Sequence, residues 1–248
     1  MTRQTRIEMG RRGTLRLGGA ALAATIMPLP VLAQGAPPLK IGMIGAGREG
    51  SALGTAFAKA GHKVMFSSRH PEELKGLIEG IGPAAQAGTV EQAVAFGDVV
   101  AIAVPYTSMQ QIGKDHAAAL ATKVLVLDIS NPIERRDGAD IVKWVNEQGG
   151  AALATAKILP GSKTVRALNA ISSVKLAAAA GRTGDPVGVP IAGDDAKAIA
   201  VASSLIKEVG FEPVLVGGLA MGKYLVPGTP LAGEHTPAEI KQIAATLT

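Results

Sequence analysis

The sequence predicts an α/β protein built on a doubly wound, mostly parallel sheet, and three observations carry that prediction. From Gln34 onward, short apolar runs alternate with Ala-rich amphipathic segments, the pattern of strands buried on both faces by helices. A glycine-rich turn follows the first apolar run immediately. No repeat, low-complexity run or long linker divides the body of the chain.

The elements follow in order. Residues 1–33 read as a signal peptide: a basic start, an apolar Ala/Gly/Leu-rich run, and Val31-Leu32-Ala33 as small residues before a cut at Gln34. Arg11-Arg12 resembles the twin-arginine export signal, so the expected location is periplasmic, with no stable membrane span once the leader is removed. Strands are expected at Lys40–Ile44, Lys63–Phe66, Val99–Val104, Val124–Ile129, Val165–Leu168, Val187–Ala192 and Pro213–Val216. Arg48–Ala60 reads as a helix stopped by Gly61, and Pro71 opens another with Glu72 and Glu73 in its first turn. Thr89 with Gln92 forms a capping box, and Asp194-Asp195 caps a helix that ends before Gly210. Residues 34–248 are expected to form a single domain, with a C-terminal extension from about residue 217 and a closing helix from Pro237. The extension would cover one end of the sheet or contact a second subunit of a homo-oligomer.

Composition excludes several function classes. The formal charge is +5, but +4 of it lies before Ala33, and only 3% of residues are aromatic. The body therefore lacks the phosphate-neutralising surface and stacking platforms that nucleic acid requires. With no cysteine, thiolate chemistry and cysteine-ligated metals are excluded, and the four histidines show no paired ligand spacing, so no metal is expected.

Gly45-Ala46-Gly47-Arg48-Glu49-Gly50 fits G-x-G-x-x-G between a strand and a helix, which makes the first half Rossmann-like. The first glycine permits the turn, the second admits a pyrophosphate, and the third brings helix and strand together. At the end of the second strand, an NAD site usually carries an acid for the ribose hydroxyls. This chain has Ser67, Ser68, Arg69 and His70 instead, a set of donors suited to an additional phosphate, so the expected cofactor is NADP(H).

The stretches GAGREGSALGTAFAKAGHKV, SSRH, AIAVP, VLDISNP, TVRALNAI and VPIAGDD, in that order, resemble the NADPH-dependent reductases of the deazaflavin coenzyme F-420. By that resemblance, Ala46, Gly47, Arg48 and Glu49 would bind pyrophosphate and Ser68 with Arg69 the 2′-phosphate. Val104, Pro105 and the strand carrying Ala167 would flank the nicotinamide. The resemblance implies a small-molecule redox acceptor, a deazaflavin, flavin or similar group. The tail after Val216 does not obviously match the family's deazaflavin-binding end. A second reading is a non-catalytic NADP-binding or partner-binding protein that has kept only the Rossmann half.

Hydride transfer needs positioning rather than a nucleophile, so no catalytic residue is assigned. Thr107, Ser108, His116 and Asp128 are the residue types of a hydrolytic triad but lack nucleophile-elbow glycines. Asn131 and Asn169 follow strands and are open to two roles, bonding the nicotinamide or acceptor, or capping a turn. Trp144 and Tyr224 are expected to serve packing.

Overall fold

The computed structural model describes residues 37–179 and 185–247; the expected leader, residues 1–33, lies outside them. The strands are β1 (Lys40–Ile44), β2 (Lys63–Ser67), β3 (Ala85–Gly88), β4 (Val99–Ile102), β5 (Leu125–Asp128), β6 (Thr164–Arg166), β7 (Gly188–Gly193) and β8 (Glu212–Gly217). The helices are α1 (Arg48–Lys59), α2 (Lys75–Ile81), α3 (Val90–Phe96), α4 (Met109–Ala121), α5 (Glu134–Asp137), α6 (Ala139–Glu147), α7 (Ala151–Ile158), α8 (Ser173–Ala179), α9 (Ala196–Glu208) and α10 (Pro237–Ala244). Among the described residues the strands form one sheet in the order β3-β2-β1-β4-β5-β6-β7-β8. Every pairing is parallel except β6 with β7. The doubly wound architecture expected from the sequence is present, with an antiparallel junction that it did not announce.

Both faces of the sheet are covered, and β4 shows why its sequence is apolar throughout. Val99 and Ala101 join the core that holds Phe57 and Phe66, while Val100 and Ile102 join the one that holds Met109 and Leu120. Strand side chains alternate between faces, so a central strand with two covered faces has no polar position to offer. The capping box of Thr89 with Gln92 closes the start of α3, Asp195 caps α9, and Thr236 with Glu239 forms a second capping box before α10. Pro71 begins a short 3₁₀ turn over Pro71–Leu74 ahead of α2, rather than a continuous helix. Trp144 packs at the edge of one core cluster and Tyr224 at another.

One polar clamp ties the start of the sheet to its far side. His62 Nδ1 accepts from the Leu39 N–H at 3.1 Å, so the ring proton sits on Nε2 and is donated to Glu208 at 2.6 Å. His62 is buried, and the bond joins the loop before β2 to the end of α9.

Candidate functional site

A cleft of about 860 Å³ opens where the strand order turns from β1 to β4, beyond the C-terminal ends of β1, β4, β5 and β6. This is the crevice that an open α/β sheet offers to a ligand. Its walls include Gly47, Arg48 and Glu49 of the glycine turn, Val104 and Pro105 after β4, Asn131 after β5, and Leu168 and Asn169 after β6. Pro227 and Gly233 of the C-terminal tail complete it.

The three glycines of the turn have separate reasons to be glycine. Gly45 has φ +99°, and a Cβ there would lie 2.5 Å from the Ala103 carbonyl oxygen. At Gly50 a Cβ would come within 1.9 Å of the Gly45 carbonyl oxygen, so this residue is what lets α1 approach the turn. Gly47 differs: a Cβ there meets nothing within 4 Å, and the residue is exposed on the cleft wall. No internal packing excludes a side chain at Gly47, so the bare backbone keeps open a cradle above the N-terminus of α1, which fits a pyrophosphate. Arg48 stands beside it, exposed and without an ion-pair partner among the described residues. The turn is further fixed by Ser51, whose hydroxyl donates to the Ala46 carbonyl at 2.7 Å.

Ser67 has a different place from the expected one. It is buried, and its Oγ accepts from the Gly45 N–H at 3.3 Å, so it braces the glycine turn from behind instead of facing a phosphate. The reason is that β2 runs one residue longer than expected, keeping Ser67 in the sheet. Ser68 Oγ accepts from the His70 N–H at 3.0 Å and shapes the loop in which Arg69 is exposed and unpaired among the described residues. His70 is exposed as well, with Nδ1 3.5 Å from Glu72.

Ala167 also differs. It is fully buried in the core, and the residue of that segment on the cleft wall is Leu168, whose φ of 61° turns the chain into the left-handed region. Strand β6 ends at Arg166, two residues before the expected limit, so the register of the exit loop shifts toward the next side chain.

Sequence reading missed a buried polar network under the cleft. Asp128 and Arg166 are both 0% exposed, at the ends of neighbouring strands, with Arg166 Nη1 2.8 Å from Asp128 Oδ2. Arg166 also donates to the Ser130 carbonyl at 2.7 Å and to Asn131 Oδ1 at 2.5 Å. Asp128 accepts in addition from Thr155 Oγ1 and from the Ser130 N–H, each at 3.0 Å. Burial pushes the Asp128 carboxyl above its ordinary range, with Arg166 the strongest opposing influence. Tyr106 bonds the Ala151 carbonyl and Thr155, and burial raises its phenol well above the usual range. Asp128 is thus engaged by Arg166 rather than by His116, and the triad residues are not assembled. A second tie secures the loop after β5: Asp137 accepts from the Ile133 N–H at 2.8 Å and pairs with Arg136 at 2.9 Å. Burial would raise the Asp137 carboxyl, but these bonds together hold it below its ordinary value.

Residues 40–132 match the family model described as NADP oxidoreductase, coenzyme F420-dependent. The glycine turn and the first five strands are thus similar to that family. A hypothetical protein from Sinorhizobium meliloti is similar to this chain with a TM-score of 0.65 and 26% identity over 81% of this chain and 96% of that one. A protein from Arthrobacter sp. FB24, assigned as an F420-dependent NADP-reductase, gives 0.59 and 21% over 75% and 87%. The imine reductase of Myxococcus stipitatus in complex with NADP+ gives 0.54 and 21%, but this chain covers only 56% of its length. At such identities the last two share the fold. No curated protein matches the chain. Among the described residues no helix is long and apolar enough to cross a membrane.

Proposed function

We propose that this protein is an NADP oxidoreductase that passes hydride between NADP(H) and a deazaflavin, flavin or similar flat redox acceptor bound in the same cleft. The observation that carries the reading is Gly47, a glycine that internal packing does not demand, on the wall of a cleft whose far side is closed by Pro227 and Gly233. NADPH supplies the hydride; the chain supplies position and exclusion of water. On this reading the Gly47 backbone and Arg48 hold the pyrophosphate, while Ser68 and Arg69 meet the 2′-phosphate. Val104, Pro105 and Leu168 line the reacting end, where the tail forms the wall against the acceptor. The test is NADPH consumption by the purified chain with deazaflavin, flavins and ferric chelates in turn. Turnover on one of them, faster with NADPH than with NADH, is the expected result. Tight NADPH binding with no turnover on any acceptor would replace this reading with that of a non-catalytic nucleotide-binding protein.

We further propose export, from Arg11-Arg12 and the apolar run that follows. Protein recovered from the periplasm of its host is expected to have a mass beginning at Gln34. Full-length chain confined to the cytoplasm would contradict this.

A further inference from the structure

Two amide side chains on the cleft wall have a hydrogen-bonding capacity that the network beneath them does not exhaust. Asn131 follows β5 and Asn169 follows β6; both line the cleft, and Asn169 is 5% exposed. An amide side chain brings two N–H donors and an oxygen with two lone pairs. Asn131 Oδ1 accepts from Arg166 at 2.5 Å and from Asn169 Nδ2 at 3.1 Å, which fills it. Its Nδ2 donates once, to the Asn169 carbonyl at 2.8 Å, and so retains one N–H. Asn169 is its converse. Both of its N–H groups are spent, on Asn131 Oδ1 and on the Leu225 carbonyl, while its Oδ1 is buried with no partner.

Neither amide can turn over. A guanidinium has only donors, so Asn131 must present its oxygen to Arg166, and that oxygen in turn requires the nitrogen of Asn169. The pair therefore offers one spare donor and one spare acceptor, in fixed roles. Buried polar atoms are almost always paired, so a buried amide oxygen left unpaired in a residue of the cleft wall points to a ligand that donates to it. A primary carboxamide satisfies both members, since its oxygen accepts one hydrogen bond and its nitrogen donates.

We infer that Asn131 and Asn169 form a clamp for the carboxamide of the nicotinamide ring and thereby set which face of the ring meets the acceptor. The inference rests on the NADP reading above and goes beyond it by naming the groups that orient the reacting ring.

The test measures affinities of the full chain for NADP+, for its 3-acetylpyridine analogue and for 2′-phospho-ADP-ribose. The analogue carries a methyl in place of the carboxamide nitrogen, and the third ligand lacks the nicotinamide altogether. Wild type is expected to bind the analogue about tenfold more weakly than NADP+, because Asn169 Oδ1 stays unpaired. Asn169→Leu is expected to bind NADP+ and the analogue alike while retaining wild-type affinity for 2′-phospho-ADP-ribose. Equal affinity of wild type for NADP+ and the analogue, with 2′-phospho-ADP-ribose still bound, would overturn the clamp and leave the NADP reading intact. Failure to bind any of the three would overturn both. Should Asn169→Leu not fold, the wild-type comparison decides alone.

Discussion

Replacing Arg166 with methionine is expected to cost about 3–5 kcal/mol of stability, measured by urea unfolding, because it leaves Asp128 buried without its counter-charge. Arg166 also serves the Ser130 carbonyl and Asn131 Oδ1, so the substitution strips donors from three acceptors at once. The pH dependence has a definite sign. Burial already raises the Asp128 carboxyl, and losing Arg166 raises it further. The folded state then holds the Asp128 proton more tightly than the unfolded chain does. Stability of the variant therefore falls as pH rises from the ordinary carboxylate range through the shifted value, and the deficit is smallest in acid. Adding Asp128→Asn, which removes the charge but can still accept from the Ser130 N–H through its oxygen and can donate from its nitrogen to Thr155 Oγ1, is expected to restore roughly half of the loss. A single variant within about 1 kcal/mol of wild type would show that the pair does not carry this load.

Arg69→Ala is expected to weaken NADPH on the order of 1.5–3 kcal/mol, the worth of a charge-assisted bond to phosphate, and to leave NADH almost unchanged. Arg69 is exposed in the loop after β2, and no carboxylate pairs with it among the described residues. The first acid to follow, Glu72, faces His70. Because the site is open to solvent, the difference between the two cofactors should shrink as salt is added. Calorimetric titration of wild type and variant with both cofactors checks this, and equal weakening of the two would remove Arg69 from the phosphate site.

The parts of the fold legible in the sequence are those whose physics is local. Runs such as Val99–Ile102 are apolar at every position because both faces are covered, and the turn Gly45–Gly50 carries its geometry in its glycines. Strand β3, with sequence AQAG, was invisible: an edge strand of small residues buries too little to leave an apolar signature. The reversal between β6 and β7 was invisible too, since direction of pairing depends on a connection and not on the residues paired. At the candidate site, the glycine turn and the loops after β4, β5 and β6 could be named in advance. The facing of Ser67 and Ala167 was not legible, because a shift of one or two residues at a strand end decides whether a side chain lies in the sheet or in the loop beyond it. Arg166 and Asp128 did leave a signal. Opposite charges at the ends of the buried runs VLVLD and TVR must find each other if those runs are neighbouring strands.

Because β7 runs against β6 and β8 runs with β7, these last two strands finish at the opposite rim of the sheet from the cleft. The segment after Gly217 must travel back across the molecule before Pro227 and Gly233 can take their places on the wall. One wall of the cleft thus grows from short strand-to-helix turns that cannot change without disturbing the sheet, and the other hangs from a returning ribbon. A change in the ribbon can therefore reshape one wall of the cleft while the turns that build the other keep their geometry.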